Sequence, residues 1–349
     1  MMTDLTERQK RILGFVVHDY IGEGSPVGSK LLVKKYKLDV SDATVRNELG
    51  ILTDKGFLRQ PHTSAGRVPT EDGYRYFVSE IMDRTELAAV ARNSIRNQFY
   101  QDGREAKHWF RVAVRLLARH VQAASVVTTP ISERNYYKHL ELINTHGRWI
   151  MMILVKEGGE VSQQMLTLKE QFTQEQLTAA AQHLNHLFRG LNADQIDAHP
   201  AHYNALERDI VNLILEDMRQ IDPILIGEVY RAGLSHMVSE PEFSDSEVAR
   251  NALRVLEERP LLEELLTSEM LAGESMSLKV LIGGEGRWEA LRNCSVVLAR
   301  YGEPGLLIGT LGVLGPMRMP YRRTISTIRL VADLLSDVVT DMPINMAEM

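Results

Sequence analysis

At 349 residues the chain is long enough for two or three domains, and its formal net charge of −6 arises from 40 Lys and Arg against 46 Asp and Glu. Its one cysteine, Cys294, excludes an intramolecular disulfide and a four-cysteine zinc site, which fits a reducing compartment. No apolar run approaches the length that spans a bilayer, and no cationic start leads into an apolar segment. We therefore expect a cytoplasmic protein without membrane contact.

Two helices are predicted before residue 40. Thr6 and Gln9 form a capping box for the first, and the second begins near Ser29. The second helix carries a basic face, on which Lys34 and Lys35 are predicted to contact DNA phosphates; a merely solvated face is the alternative for each lysine. Its inward side chains are predicted to be Leu31, Leu32 and Tyr36.

A third helix follows Ser41, which is a good N-cap. Its apolar stripe is predicted to be Val45, Leu49 and Leu52. Packing of that stripe leaves four side chains of the first two turns exposed, namely Ala43, Thr44, Arg46 and Asn47. In the major groove an arginine can pair with guanine and an asparagine with adenine, while a helix N-terminus such as that at Ser41 favours a phosphate. The pattern is typical of a recognition helix, with residues 42–50 in the groove.

A short strand at 57–60 and the loop PHTSAGRVP at 61–69 come next. His62 and Arg67 on this loop are predicted DNA contacts, Arg67 near a phosphate or the minor groove. Residues 25–68 hold eight Lys or Arg against four Asp or Glu, a local basic surface on an acidic chain. Helix, helix, recognition helix, strand and loop is the order of a winged helix-turn-helix, for which DNA binding is favoured over a protein-interaction role.

The remaining elements predict a mixed α+β structure. A helix over 104–122 has heptad-like spacing; it either dimerises as a linker or packs on the next domain, and its short periodicity favours packing. Strands are predicted at 125–131, 138–143, 148–155, 161–168, 224–230, 278–282, 295–301 and 306–314. Helices are predicted after Thr173, over 204–218, after Ser244 and over 325–338. Because either strand group alone is small, those of 125–168 and 278–314 are predicted to pair in one domain, interrupted by a mostly helical insertion.

No arrangement in the sequence indicates catalysis or a cofactor. His183 and His186, like His199 and His202, have H-x-x-H spacing, but Pro200 interrupts the second pair and no glutamate completes a zinc motif. The glycines at 283, 284, 286, 305, 309, 312 and 315 match neither a P-loop nor a dinucleotide fingerprint. Cys294 is predicted to be a small buried hydrophobe. We expect no metal, no cofactor and no enzymatic activity.

Five stretches of the chain resemble the bacterial HrcA family of heat-inducible transcription repressors. They are PVGSK at 26–30, SDATVRNE at 41–48, PHTSAGRVP at 61–69, TEDGYRY at 70–76 and GPMRMPY at 315–321. The resemblance is looser between 170 and 270, and Gly50 departs from the better helix former expected at that position, at a cost of about 1 kcal/mol in helix propensity. In the last stretch, Gly315, Pro316, Arg318, Met319 and Tyr321 are interpreted as structural corner or inter-domain contact residues.

The resemblance implies a winged-helix domain at 1–76, a GAF-like label for the antiparallel α+β domain in two parts at 104–170 and 273–349, and a dimerisation role for the inserted segment at 171–272. A helical pattern from Gly73 to the break at Asp102 and Gly103 predicts a helical linker at 77–103. The resemblance also implies a homodimer that represses chaperone operons by binding an inverted-repeat operator, kept active by a GroEL-type chaperonin. The alternative is a winged-helix regulator whose GAF-like domain senses a small metabolite.

Overall fold

The computed structural model describes residues 5–82, 87–101, 106–132, 136–157, 161–219, 227–271, 278–284, 288–303 and 307–340. These residues form two compact units. The first unit lies within 1–128, 229–300 and 310–335, and the second within 129–228, 301–309 and 336–349. Within the described ranges, we find no helix that is both long and apolar enough to cross a membrane.

The α-helices are α1 Glu7–Glu23, α2 Ser29–Tyr36, α3 Asp42–Asp54, α4 Glu71–Tyr76, α5 Ala89–Tyr100, α6 Ala106–Val121, α7 Gln174–Phe188, α8 Ala193–Asp197, α9 Ala205–Arg219, α10 Leu234–Val238, α11 Ser246–Glu257, α12 Arg259–Leu271 and α13 Tyr321–Thr340. The strands are β1 Leu58–Arg59, β2 Val68–Pro69, β3 Ala124–Thr128, β4 Ile131–Ser132, β5 Tyr137–His146, β6 Trp149–Lys156, β7 Val161–Thr167, β8 Val229–Ala232, β9 Leu278–Ile282, β10 Cys294–Glu303 and β11 Leu307–Pro316. A π-helical turn, Phe77–Ile81, follows α4.

The first three helices pack around one apolar core. The predicted capping box at Thr6 and Gln9 is present at the start of α1. Buried side chains come from all three helices and include Leu13, Val16, Leu32, Val45 and Leu52. The prediction for Leu31 is wrong: it is 40% exposed, because it precedes the buried Leu32 by one position and therefore lies about 100° around the helix from it.

A β-hairpin follows α3. Strands β1 and β2 are antiparallel, with Leu58 opposite Pro69 and Arg59 opposite Val68. Val27, between α1 and α2, adds an antiparallel bridge to Arg67 through two backbone hydrogen bonds of 2.8 and 2.9 Å. The hairpin is therefore stabilised by the bridge to Val27 as well as by the hydrogen bonds between β1 and β2.

The segment after the hairpin packs on the rest of the first unit. Thr70 caps α4, accepting a hydrogen bond from the backbone N–H of Gly73. Arg75 donates to the backbone oxygen of Ile282 at 2.7 Å, and the rings of Tyr74 and Tyr321 lie 6.0 Å apart. These contacts attach the three helices and the hairpin to strand β9 and helix α13.

The main sheet of the first unit has the strand order β8-β3-β11-β10-β9. Strand β3 is antiparallel to both β8 and β11, and β9 is antiparallel to β10. Helix α6 buries Phe110, Val114, Leu117 and Val121 and contacts β3 and β8. Its apolar face is thus used in packing, which is the interpretation that the sequence favoured.

The GPMRMPY stretch forms the corner between β11 and α13. The buried hydroxyl of Tyr321 donates to the backbone oxygen of Met317 at 2.7 Å and lies 2.6 Å from Ser295 Oγ. Arg318 pairs with Glu240 at 2.6 Å and with Glu242. The corner residues therefore make the structural contacts that the sequence interpretation gave them.

The second unit contains a three-stranded antiparallel sheet in the order β5-β6-β7. One face of this sheet forms a core with α7, α8 and α9; its largest members include Tyr137, Leu154, Phe188, Ile210 and Met218. Thr173 caps α7 as predicted.

The predicted strand pairing is corrected in part. Strand β3 joins the late strands, and β4 pairs with residues 307–308 of β11, but β5, β6 and β7 form their own sheet. Because these three strands are amphipathic and joined in sequence, α7 and α9 can cover their apolar face without the late strands. Helices α8 and α12 were not predicted, and the cap of α11 is Asp245 rather than Ser244. Residues 224–226, Gly286 and Gly305 lie outside the described residues.

Candidate nucleic-acid interface

Helix α3 has the predicted start and the predicted buried stripe. The Ser41 hydroxyl accepts from the backbone N–H of Thr44 at 3.1 Å, and the two hydroxyls lie 2.9 Å apart. This hydrogen bonding satisfies one of the free N–H groups of the helix N-terminus. The stripe of Val45, Leu49 and Leu52 is buried. Helix α3 is thus fixed in rotation by its apolar side and its cap.

The opposite side of α3 presents Ala43, Arg46 and Asn47, which are exposed, whereas Thr44 is half-buried. Arg46 is 71% exposed and lies 3.5 Å from Asp42 on the preceding turn. Such an exposed ion pair contributes little to stability, so the guanidinium can exchange it for a base or a phosphate. The exposed arginine and amide on one turn are the groups that read guanine and adenine in a major groove.

Helix α1 holds α3 through polar contacts as well as through the core. The Gln9 side chain, part of the α1 capping box, donates to Glu48 at 3.1 Å, and Arg8 lies 3.6 Å from the same carboxylate. Glu48 is adjacent to Asn47, so these contacts orient the turn that carries the exposed amide.

The loop of the hairpin is ordered by one side chain. Gln60 donates to the backbone oxygens of Thr63 and Ala65 at 2.8 and 3.0 Å. His62, at the loop tip, is exposed, and its contact with DNA stays a prediction. Gly66 runs against the backbone of Val27, where a side chain has no room: a Cβ atom there would lie 2.5 Å from the Val27 carbonyl.

The structure gives Arg67 a different principal contact from the predicted one. The side chain is half-buried, and its Nε donates to Thr53 Oγ1 at 2.9 Å, while that hydroxyl donates to the Leu49 backbone oxygen at 2.7 Å. Arg67 therefore connects the hairpin to α3. Its contact with DNA stays a prediction.

The two lysines predicted to meet phosphates have different surroundings. Lys34 is exposed, with no ion pair to any other residue that the structure describes. Lys35 pairs with Asp19 at 2.9 Å and with Glu23 at 3.2 Å. The charge of Lys35 is thus matched by a buried carboxylate of α1, and its contact with a DNA phosphate, like that of Lys34, stays a prediction.

Replacing these lysines separately is expected to distinguish the two roles. Lys34→Gln should leave the midpoint of thermal unfolding unchanged and reduce the salt dependence of DNA binding by about 0.9 in log–log slope, the share of one phosphate contact. Lys35→Gln should lower the unfolding midpoint, because it removes a partner of Asp19. Calorimetry and salt-titrated fluorescence anisotropy measure the two effects; identical behaviour of the variants would contradict the assignment.

Asp19 is the centre of the contact between α1 and α2. Its carboxylate accepts from the Tyr36 hydroxyl at 2.6 Å and from Lys35, and the Tyr36 ring stacks on Phe15 at 3.8 Å between centroids. Burial acts to raise the pKa of Asp19, but the hydrogen bonds from Tyr36, Lys35 and His18 outweigh it and hold that pKa below its usual range. Burial and the neighbouring carboxylate raise the pKa of Tyr36 to about 12.

This lowered pKa predicts an acid-dependent loss of stability. Because the folded-state pKa of Asp19 lies below its unfolded value of about 4, the carboxylate stabilises the fold above about pH 4 and ceases to do so as the pH falls through the folded-state pKa. We expect Asp19→Asn to be less resistant to urea than the original chain at pH 7, with a difference that shrinks below about pH 4. Urea titrations across this pH range measure it, and a difference that stays constant would exclude the carboxylate as its source.

Sequence reasoning did not single out Arg59. It is exposed on β1, next to the buried Leu58 and beside the hairpin loop. The sequence could have indicated its exposure, because Arg59 follows the buried Leu58 in a strand, where successive side chains point to opposite faces. Arg59 could contact the DNA bound by Arg46 and Asn47 only where the hairpin also lies against that duplex. We therefore assign Arg59 no role in base reading.

The other candidate residues form no reactive site among the residues that the structure describes. No group of three or more His, Cys, Asp or Glu is placed to hold a metal ion in that part of the chain. His183 contacts Glu207 at 2.8 Å, and His199 packs against the Phe188 ring. Burial raises the pKa of the Cys294 thiol to about 12, so it stays protonated at neutral pH.

Comparison with known proteins places the chain in a family. The family model described as the HrcA protein C terminal domain matches residues 107–325. The heat-inducible transcription repressor HrcA of Roseiflexus castenholzii is 41% identical over 350 residues, covering 98% of this chain and 96% of that protein. The HrcA of Chloroflexus aggregans is 38% identical over 356 residues, covering 98% and 95%. The crystal structure of a hypothetical protein at 2.2 Å resolution shares the fold, with a TM-score of 0.61, 24% identity and coverage of 97% of this chain and 99% of that one.

Both named relatives are transcription repressors, which gives the class of protein to which the chain belongs. The chain belongs to the HrcA family of heat-inducible transcription repressors.

Proposed function

We propose that residues 5–76 form a winged helix-turn-helix that binds double-stranded DNA, with residues 42–50 of α3 in the major groove. The observation that carries this proposal is the exposed pair Arg46 and Asn47 on a capped helix whose other face is buried. The loop of residues 61–69 is the wing, and Lys34 supplies a phosphate contact. Membership of the HrcA family supports repression of transcription as the outcome of binding.

The proposed operator is the inverted repeat upstream of chaperone operons that the family resemblance implies, and two chains bind it. A two-fold protein dimer requires two equivalent half-sites on the duplex. The main sheet of the first unit is proposed as the GAF-like domain, and a GroEL-type chaperonin as the factor that keeps the chain in its active form. The compartment is the cytoplasm.

The second unit offers a surface for the dimer contact. Ile143, Met151 and Met165 lie opposite one another across β5, β6 and β7, on the face of the sheet that is turned away from α7 and α9. Trp149 is 51% exposed and Val161 60% exposed on the same sheet. Exposed apolar surface of this kind marks interaction sites. These residues lie outside the 171–272 segment, for which the family resemblance implies a role in dimerisation.

Binding stoichiometry tests the proposal. We expect two chains on an inverted-repeat duplex, and at least tenfold weaker binding to a duplex carrying one half-site, as measured by sedimentation and by anisotropy. Val161→Glu with Met165→Glu should reduce the dimer fraction, whereas Val238→Glu, an exposed valine of α10 in the first unit, should not. Equal affinity for the inverted repeat and the half-site would contradict a dimer that binds both half-sites.

A second function, regulation by a small polar molecule, is favoured by one cleft of about 750 Å³ in the first unit. Its lining includes Tyr74, Glu242 and Arg318. The Tyr74 hydroxyl and one Glu242 oxygen are buried there without a hydrogen-bond partner among the described residues. A bound metabolite would raise the unfolding midpoint, and the rise would continue with the logarithm of its concentration above Kd, so a thermal-shift screen of polar metabolites tests this function.

A further inference from the structure

The hairpin after α3 has a short ladder and a long loop. Strands β1 and β2 share two paired positions, Leu58 with Pro69 and Arg59 with Val68, and residues 60–67 connect the strands. A two-stranded hairpin on its own is only marginally stable in water. The ladder alone is therefore too short to fix the position of this loop, which depends on contacts with the rest of the chain.

One such contact fixes the backbone at the end of the loop. The N–H and the carbonyl of Arg67 form hydrogen bonds of 2.8 and 2.9 Å with Val27, which lies between α1 and α2. Gln60 orders the loop internally by donating to the backbone oxygens of Thr63 and Ala65. These hydrogen bonds hold the loop to itself and to Val27, but they do not reach α3.

The side chain of Arg67 extends from the loop to α3. Its Nε donates to Thr53 Oγ1 at 2.9 Å, and the Thr53 hydroxyl donates to the backbone oxygen of Leu49 at 2.7 Å. A hydroxyl has one proton, so the bond to Leu49 leaves the Thr53 oxygen as the acceptor for Arg67. Because the Leu49 side chain belongs to the buried stripe of α3, these two hydrogen bonds end at a residue that is fixed in the core.

The surroundings of Arg67 differ from those of the exposed arginine of α3. Arg46 is 71% exposed, and its ion pair with Asp42 is long, at 3.5 Å. Arg67 is half-buried, and a hydrogen bond of ordinary length directs its Nε towards α3. A contact with DNA through Nε would break that hydrogen bond. The geometry therefore favours a role for Arg67 within the protein.

We propose that Arg67 and Thr53 are positioning residues, which hold the loop of residues 61–69 against the last turn of α3 so that the loop and the helix meet the same duplex. This inference rests on the proposed DNA-binding function and gives Thr53 a role that sequence reasoning did not suggest. A loop released from α3 would occupy several positions, and operator affinity would fall with the fraction of chains in which the loop is placed for binding. A direct contact of Arg67 with a phosphate is the alternative that the experiment separates.

Substitutions at the two positions of the full-length chain test the proposal. Thr53→Val removes the hydroxyl and keeps the shape of the side chain, Thr53→Ser keeps the hydroxyl, and Arg67→Met removes the donor and the charge. The double variant combines Thr53→Val with Arg67→Met. The control is Thr63→Val, the same change at an exposed position of the loop. Fluorescence anisotropy on the inverted-repeat duplex, below the unfolding midpoint of every variant, gives the affinity and its dependence on salt.

Thr53→Val is expected to weaken operator binding about tenfold, the order expected for the loss of one hydrogen bond from a charged donor. Arg67→Met should have the same effect. The double variant should lose no more than either single variant, because all three break the same hydrogen bond. Thr53→Ser and the control should bind as tightly as the original chain. The slope of log affinity against log salt should be the same for every variant.

A phosphate contact by Arg67 would give a different result. The loop of residues 61–69 carries no other Lys or Arg, so a change in slope would be due to Arg67 itself. Arg67→Met would then reduce the magnitude of the slope by about 0.9, and Thr53→Val would bind like the original chain. Either of these outcomes, or additive losses in the double variant, would overturn the proposal.

The position of the loop is also measurable without DNA. Nitroxide labels at Arg11→Cys on α1 and Ser64→Cys on the loop, both exposed sites, give a distance distribution by electron paramagnetic resonance, while the native thiol of Cys294 is buried. Thr53→Val should broaden this distribution and Thr53→Ser should not. An unchanged distribution in a chain that still prefers the operator overturns this inference alone. A chain that does not distinguish operator from scrambled duplex contradicts the proposed function, and the DNA-binding role of this pair with it.

Discussion

Asn47→Ala is expected to weaken binding to the inverted-repeat operator by about 1–3 kcal/mol and to leave binding to a scrambled duplex nearly unchanged. The reason is geometric: the amide is exposed on the second turn of a helix whose rotation is fixed by Ser41 and by the buried stripe. Removing it eliminates a paired contact to one base but no phosphate contact. Arg46→Ala should behave in the same way at another base.

Anisotropy at one fixed salt concentration, on the operator and on duplexes with single base changes, measures this loss of discrimination. The control is Asp54→Ala, an exposed change in the last turn of the same helix. Equal losses on operator and scrambled DNA would contradict base reading by Asn47 and would reduce its role to general affinity.

Gly66→Ala is expected to destabilise the fold by about 1–3 kcal/mol, the usual cost of overpacking a site that cannot yield. A Cβ atom at residue 66 would lie 2.5 Å from both the carbonyl carbon and the carbonyl oxygen of Val27. The bridge between Val27 and Arg67 would therefore open and release the hairpin. Operator affinity should fall with stability, because the hairpin loop and α3 are connected through Arg67 and Thr53.

Gly50→Ala supplies the matched control with the opposite sign. Nothing lies within 4 Å of a Cβ atom at residue 50, which is inside α3. The same substitution should stabilise the chain there by about 0.5–1 kcal/mol through helix propensity. Urea titrations of both variants give the comparison. A Gly66→Ala chain as stable as the original, with the hairpin bridge intact, would show that the Val27 backbone can move at little cost.

Local signals in the sequence were sufficient for the elements that position α3. Ser41 and the spacing of Val45, Leu49 and Leu52 specified both the start and the buried face, since caps and periodicity act within a few residues. The same holds for Thr6 and Thr173.

Contacts between distant residues were less predictable. The ion pair of Lys35 with Asp19 was not predicted, because the two residues are 16 positions apart and lie on different helices. A signal existed: Asp19 lies three residues after Val16, on the buried face of α1, and a buried carboxylate needs a donor. Arg67 presents the same difficulty, with its partner Thr53 14 positions away.

Strand pairing was the least predictable feature of the fold. Strand β3 was grouped with β5 to β7 because it precedes them closely in the sequence, yet it pairs with β11, more than 180 residues later. Whether a strand finds local or distant partners depends on which helices cover it, and the sequence alone did not state that α7 and α9 cover β5 to β7.

The most direct test of the account is a comparison of operator and scrambled duplexes by fluorescence anisotropy at one salt concentration, with and without a GroEL-type chaperonin. We expect at least a hundredfold preference for the inverted repeat, on the order found for specific DNA-binding proteins, and a larger active fraction of the chain when chaperonin is present. Equal weak binding to both duplexes, unchanged by chaperonin, would contradict it.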